Sequence, residues 1–294
     1  MIDNSVTILD GGMGGELIRR GLSTSAELWS AQALLDAPEH VLEVHQDFIQ
    51  AGARVIITNS YSTIPSYLGK LDMAHRFEEL TQIAGQIARR AAESSEHDVL
   101  VAGSLPPLSE SYRPDLVPSD AQAAPIYEAL VRALNPYVDL FICETMSSAR
   151  EARNAAVAAR QLGEGKPIFV SWTLAENPDA GLRSGESIGD AVAAIEDLEP
   201  SALLFNCTTP EAIEVALRSL GGVTQTPIGA YPNLLHIPEG WTLDDPDIPA
   251  GRRELSIPDF VAFAERYVDA GATFIGGCCG IGPGYIAALH QKFG

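Results

Sequence analysis

The sequence predicts a closed (β/α)₈ barrel, an α/β fold of the TIM-barrel type, and three observations lead there. Short β-rich apolar runs alternate with segments of helical spacing, there are eight such runs, and most are nearly continuous in apolar character. Continuous runs are expected of parallel strands covered on the outside by helices. With 294 residues, 46% of them hydrophobic, the chain has the length and the core material for one barrel. Residues 1–294 are therefore read as one domain. A doubly wound open sheet is the alternative, but eight units that begin with a strand favour closure.

The first run, Val6–Asp10, enters the glycine-rich turn Gly11-Gly12-Met13-Gly14-Gly15. The second is Arg54–Asn59. Leu80, Ile83, Ala84 and Ile87 then fall on one helical stripe before the third run, Val99–Ser104. The fourth, fifth and sixth are Val138–Glu144, Ile168–Thr173 and Ala202–Cys207, after which Thr209-Pro210-Glu211 supplies a cap, a first-position proline and an early acid. Ile228–Pro232 is the seventh. Phe260, Phe263, Ala264 and Tyr267 form a second stripe ending near Gly271, a natural helix stop, and Thr273–Cys278 is the eighth run. Two insertions, Pro106–Ser119 and Asn233–Ser256, follow the third and seventh runs, at the strand ends where barrel enzymes build sites and lids.

Composition excludes several functions. A formal charge of −20 without a Lys/Arg cluster repels nucleic acids and anionic membranes. No apolar stretch reaches the roughly 18 to 20 residues of a membrane span. Met1-Ile2-Asp3-Asn4 lacks the basic-then-apolar pattern of a signal peptide, so a cytoplasmic enzyme acting on small molecules, monomeric or homodimeric, is expected. The six histidines form no His-x-His or His-Glu-x-x-His pattern, which argues against a histidine-ligated hydrolase. The glycine turn fails the dinucleotide fingerprint, because the position that needs its third glycine is Leu17.

Polar residues gather at the predicted strand ends: Asp10, Asn59, Glu144, Asn206-Cys207 and Cys278-Cys279. Convergence on one barrel mouth suggests a site. Four cysteines in a reducing compartment are free thiols. Cys207 from the sixth strand and the Cys278-Cys279 pair from the eighth, framed by Gly276-Gly277 and Gly280, fit the three protein ligands of a catalytic Zn²⁺ with its fourth position open. The glycines permit the sharp turn that lets adjacent thiols face one ion. Cys143 precedes Glu144, so it faces the helix layer and is core. Backbone amides of the glycine turn are suited to a carboxylate, with Asp10 facing an ammonium.

Asp10-Gly11-Gly12-Met13-Gly14, Glu144-Thr145, Asn206-Cys207 and Gly276-Gly277-Cys278-Cys279-Gly280 together make the chain resemble the homocysteine S-methyltransferase family from first strand to last helix. The resemblance implies a zinc-bound homocysteine thiolate that takes a methyl group from S-methylmethionine or S-adenosylmethionine and becomes methionine. It implies Cys207, Cys278 and Cys279 as zinc ligands, Asp10, Glu144 and Asn206 around substrate and its amino group, and Gly11 at the carboxylate. Asn59, Tyr61, Tyr112, Trp172 and Tyr231 are expected around the donor, with Trp29 and Trp241 as further aromatic faces for a cation. Gly15, Leu234-Leu235-His236 and the loop Gly103–Asp115 depart from the family pattern, and they bear on the identity of the donor and of the exact acceptor. Three alternatives remain: a betaine or other donor, a zinc lyase or hydrolase using Glu144 as acid or base, and a non-catalytic zinc- or homocysteine-binding relative.

Overall fold

A strand buried on both faces needs one partner layer inside the sheet and another outside it, and all eight expected runs find both. The computed structural model describes residues 6–22, 28–177, 181–221, 224–238, 240–242, 251–252 and 254–294. Its strands are Thr7–Ile8, Val55–Ile57, Leu100–Leu105, Leu140–Met146, Ile168–Trp172, Ala202–Asn206, Ile228–Tyr231 and Ala272–Ile275. Sequential neighbours pair in parallel from the second strand to the eighth, and the eighth pairs with the first. The ring closes where Asp10 N donates to Val55 O (3.0 Å) and Arg54 N to Ile8 O (2.8 Å).

Period-two alternation sorts the side chains into two cores. Leu9, Val55, Ala102, Leu140, Ile142, Phe169, Ala202, Leu204 and Tyr231 fill the barrel. The larger core lies between strands and helices and includes Phe141, Cys143, Val170, Trp172, Leu203 and Phe205. Cys143 is thus on the helix side, and burial pushes its thiol well above the usual range.

The helices follow their sequence signals. Phe77–Glu93 buries Leu80, Ala84 and Ile87, the predicted stripe. Pro210–Leu220 begins with Thr209, whose side chain accepts from Ala212 N. Ile257–Asp269 is followed by Gly271 at φ +98°. The first insertion contains a single 3₁₀ turn, Pro114–Leu116, and ends in a capping box between Ser119 and Gln122. The second forms a small antiparallel pairing of Leu235–His236 with Gly251–Arg252, while residues 239, 243–250 and 253 of it lie outside the described residues. Met1–Asn4 and the Trp29 side chain also lie outside them. Among the described residues no helix is long and apolar enough to cross a membrane.

The eighth strand ends at Ile275, earlier than Cys278, because the backbone beyond it leaves the ladder. Gly277 N bonds Asp10 O (2.9 Å) and Cys278 N bonds Pro232 O (2.8 Å). Packing between the last two strands is equally tight. Gly229 opposes Phe274, and a Cβ on Gly229 would sit 2.6 Å from both the Cβ and the carbonyl oxygen of Phe274. Neither atom can swing aside. Gly229→Ala is therefore expected to lower unfolding free energy by about 1–3 kcal/mol, the usual cost of overpacking, read as a shifted denaturant midpoint.

Candidate metal centre and substrate cavity

Three thiols converge at the C-terminal mouth of the barrel. Cys207 Sγ lies 2.8 Å from Cys278 Sγ and 3.8 Å from Cys279 Sγ, and the latter two are 4.0 Å apart. No other group of three or more His, Cys, Asp or Glu among the described residues brings its ligand atoms this close together.

Local backbone explains the convergence. Cys207 follows the last residue of the sixth strand and adopts φ +52°, a left-handed turn unusual for a residue with a side chain. It is held there by Cys207 N on Tyr231 O (3.2 Å) and by Thr173 Oγ1 on Cys207 O (3.3 Å). Cys278 and Cys279 lie beyond the eighth strand, so they escape its alternation. Gly280 makes the turn there at φ +86°. Gly277 serves a different purpose: a Cβ on it would collide with Ile281 Cγ2 at 2.1 Å.

Tetrahedral zinc with Zn–S bonds near 2.3 Å sets ligand sulfurs about 3.8 Å apart. Two of the three separations already match; the Cys207–Cys278 pair has to widen. Hydrogen bonds from the other two thiols hold Cys207 well below the ordinary thiol range, whereas Cys278 and Cys279 are pushed up, chiefly by their bonds to Cys207. The opposite directions describe one coupled cluster in which the three sulfurs share their protons. A divalent cation would supply the charge that lets all three ionise.

A cavity of about 420 Å³ opens beside the sulfurs. Two carboxylates reach it, and both are buried: Asp10 is 4% exposed and Glu144 7%. Asp10 Oδ2 accepts from Ile57 N (2.8 Å), yet burial still raises its pKa well above the usual range. Burial pushes Glu144 up to about 7, opposed by a short hydrogen bond from Ser104 Oγ. Two carboxylates kept from water near thiols call for a cationic partner.

The other predicted residues fall into two sets. Gly11, Asn59, Tyr61, Tyr112, Tyr231 and Trp241 line the cavity. Asn59 Nδ2 donates to Ser30 O (3.0 Å), and the Tyr61 hydroxyl meets Ser111 Oγ (2.6 Å). Asn206 and Trp172 are not brought to the cavity wall. Asn206 Oδ1 accepts from Thr145 N (2.9 Å) and Ser171 Oγ (2.7 Å), and its Nδ2 donates to Thr145 Oγ1 (2.8 Å). It braces Thr145, which stands at φ +61° beside Glu144. Trp172 is fully buried in the outer core, its ring 6.3 Å from Phe205, because Phe169 and Ser171 take the inward positions of its strand.

Sequence reasoning passed over Ser104, Thr145, Ser171 and Asn233. Ser104 and Ser171 have inward parity on their strands, a readable signal, whereas Thr145 has the outward parity of Cys143 and its left-handed backbone gave none. Asn233, whose Nδ2 is 3.7 Å from Cys207 Sγ, gave none beyond its place after Tyr231-Pro232.

Comparison with known proteins gives the same picture over the whole chain. The sequence profile of the family described as "Homocysteine S-methyltransferase" matches residues 7–293. A homocysteine S-methyltransferase of Escherichia coli (strain K12) is 31% identical over 303 residues, covering 98% of this chain and 95% of the relative. A selenocysteine Se-methyltransferase of Brassica oleracea var. italica is 29% identical, covering 97% and 88%. The crystal structure of the metallated homocysteine methyltransferase MmuM from Escherichia coli superposes with a TM-score of 0.82 at 29% identity, over 98% of this chain and 96% of that one.

The brace on Thr145 is separable from the thiols. Asn206→Ala removes two hydrogen bonds from buried Thr145, which is in a strained conformation, and a third from Ser171, so unfolding free energy should fall by about 1–3 kcal/mol. Equilibrium denaturation measures this; an unchanged midpoint would mean Thr145 needs no brace.

Proposed function

The chain belongs to the homocysteine S-methyltransferase family, and from that premise we propose that it transfers a methyl group from a sulfonium donor to the thiol of L-homocysteine, giving methionine, at a zinc ion held by Cys207, Cys278 and Cys279. S-Methylmethionine and S-adenosylmethionine are the donors of the required chemistry. The observation that carries the reading is the meeting of three thiols from two strand ends, within 4.8 Å of one another, on a cavity that also holds two buried carboxylates.

Zinc at this position supplies a Lewis acid that keeps an incoming thiol deprotonated near neutral pH. Every other task falls to the chain. Asp10 and Glu144 receive the substrate ammonium, whose positive charge offsets the burial that raises both carboxyls. Gly11 and the amides of the adjoining turn take the carboxylate. These contacts fix where the substrate sulfur arrives. Tyr61, Tyr112, Tyr231 and Trp241 exclude water and offer π faces to a sulfonium. In the transfer, a lone pair of the substrate sulfur forms the new S–CH₃ bond while the donor's S⁺–CH₃ bond breaks, its electron pair leaving on a neutral sulfide. No general base is needed. A reducing, cytoplasmic setting suits the free thiols, and a monomer or homodimer would suffice, since all named groups come from one chain.

Purified protein should hold one zinc per chain by elemental analysis, and Cys207→Ala should lose it together with activity. Homocysteine offered with S-methylmethionine, S-adenosylmethionine or betaine should give methionine with a sulfonium donor and little with betaine. Zinc-free protein with a fully active Cys207→Ala variant would overturn the reading.

Glu144 separates methyl transfer from a hydrolytic or lyase reaction at the same centre. Glu144→Gln removes one charge-assisted bond to the ammonium, costing about 2 kcal/mol, so KM for homocysteine should rise roughly thirtyfold with kcat within a few-fold. Collapse of kcat at unchanged KM would instead make Glu144 the acid or base of another chemistry.

A further inference from the structure

Tyr112 is held more tightly than a wall residue requires. It stands at φ +66° in the loop after the third strand, a conformation a tyrosine keeps only when its surroundings impose it. The preceding residue is pinned through Ser111 Oγ and the Tyr61 hydroxyl (2.6 Å). One face of the Tyr112 ring carries the Arg183 guanidinium, 4.8 Å from its centroid, and Trp241 packs edge-on at 5.5 Å. Arg183 is itself buried, with Glu176 3.9 Å away as its counter-charge. Glu176 also accepts from Ile237 N and pairs with His236, which ties the loops after the fifth and seventh strands to the same tyrosine.

The hydroxyl that this scaffold aims lies 3.0 Å from Cys207 Sγ. A cysteinate that binds a metal has no proton to give, so opposite it the phenol is the donor. Cys207 Sγ also has Asn233 Nδ2 at 3.7 Å. Among the described residues, the hydrogen bonds drawn for Cys278 and Cys279 Sγ run to other cysteine sulfurs. External donors are thus concentrated on one of the three sulfurs.

Charge explains the use of such an arrangement. Three cysteinates around a divalent cation already carry one net negative charge, and a substrate thiolate adds another in a site that water does not screen. We propose, on the reading that this is a zinc thiol methyltransferase, that Tyr112 is a positioning residue of the metal centre: by donating to Cys207 Sγ it draws charge off that ligand and so lets a fourth, anionic sulfur bind. The arginine over the ring withdraws electron density and makes the phenol a stronger donor. The ligand class favoured is a thiolate or selenolate over a neutral thioether, and the product of the transfer is such a thioether.

Tyr112→Phe tests this, because it keeps the ring, the arginine contact and the tryptophan packing while removing one oxygen. With Co²⁺ in place of zinc, the variant should bind one metal, and its thiolate-to-metal charge-transfer band should move to lower energy, since a thiolate relieved of a hydrogen bond gives up an electron more easily. Homocysteine affinity by calorimetry should fall about tenfold, the scale of one hydrogen bond to a charged group. Iodoacetamide should alkylate Cys207 faster in the variant, read by peptide mass. An unmoved band with unchanged affinity and alkylation overturns the role of Tyr112 while leaving the proposed function intact. A fall in kcat with an unmoved band makes Tyr112 merely structural and overturns it as well. Failure of wild-type protein to take up any metal overturns both.

Discussion

The closing seam of the barrel and the candidate metal centre are one contact. Gly276 approaches the first strand so closely that a Cβ would lie 2.6 Å from Leu9 Cβ, and Gly277 N bonds Asp10 O. From the other side, a Cβ on Gly12 would meet Cys278 O at 2.7 Å. Only bare backbone fits between the first and eighth strands. That proximity ends the eighth strand early, frees Cys278 and Cys279 from alternation, and sets them against Cys207 across the mouth. It also places Asp10, the last residue of the seam, in the same cavity. Closing the fold therefore builds the site, and little can be altered in one without the other.

Electrostatics follow from this placement. The seam and the fourth strand deliver two buried carboxylates into a wall that also carries aromatic rings, hydroxyls and the three thiols. Desolvation raises both, and the cluster of thiols raises Glu144 further. Two desolvated carboxyls in one cavity favour a cationic partner. On the proposed function, a zwitterionic amino acid with a thiol would meet the site at three points, through its ammonium, its carboxylate and its sulfur. A ligand lacking the ammonium would leave the carboxylates where they were.

Much of this was legible in the sequence because its signals are local and periodic. Eight apolar runs located eight strands, since a parallel strand buried on both faces cannot read otherwise. Opposite parity of Cys143 and Glu144 placed one in the outer core and the other in the cavity, and the same rule, applied from Phe169, puts Trp172 outside. The reason for the glycines was less legible. A sharp turn accounts for Gly280 and a local contact with Ile281 for Gly277, but Gly276 is required by Leu9 and Asp10, more than 260 positions away, which only the closed ring brings to it. The family resemblance made Asn206 a substrate contact; the hydrogen bonds of its amide run to Thr145 and Ser171 on other strands, which the sequence does not reveal.

Tyr112 was visible only as an aromatic residue in an insertion. Its left-handed backbone, the arginine on its ring and the direction of its hydroxyl depend on three loops from different strands, none of which has periodicity to read. These loops include the segments that depart from the family pattern, Gly103–Asp115 and Leu234–His236. They lie on the side of the centre that addresses Cys207, through the hydroxyl of Tyr112. A metal site whose ligands are fixed by closure of the fold can still be tuned through the one ligand that the loops can reach.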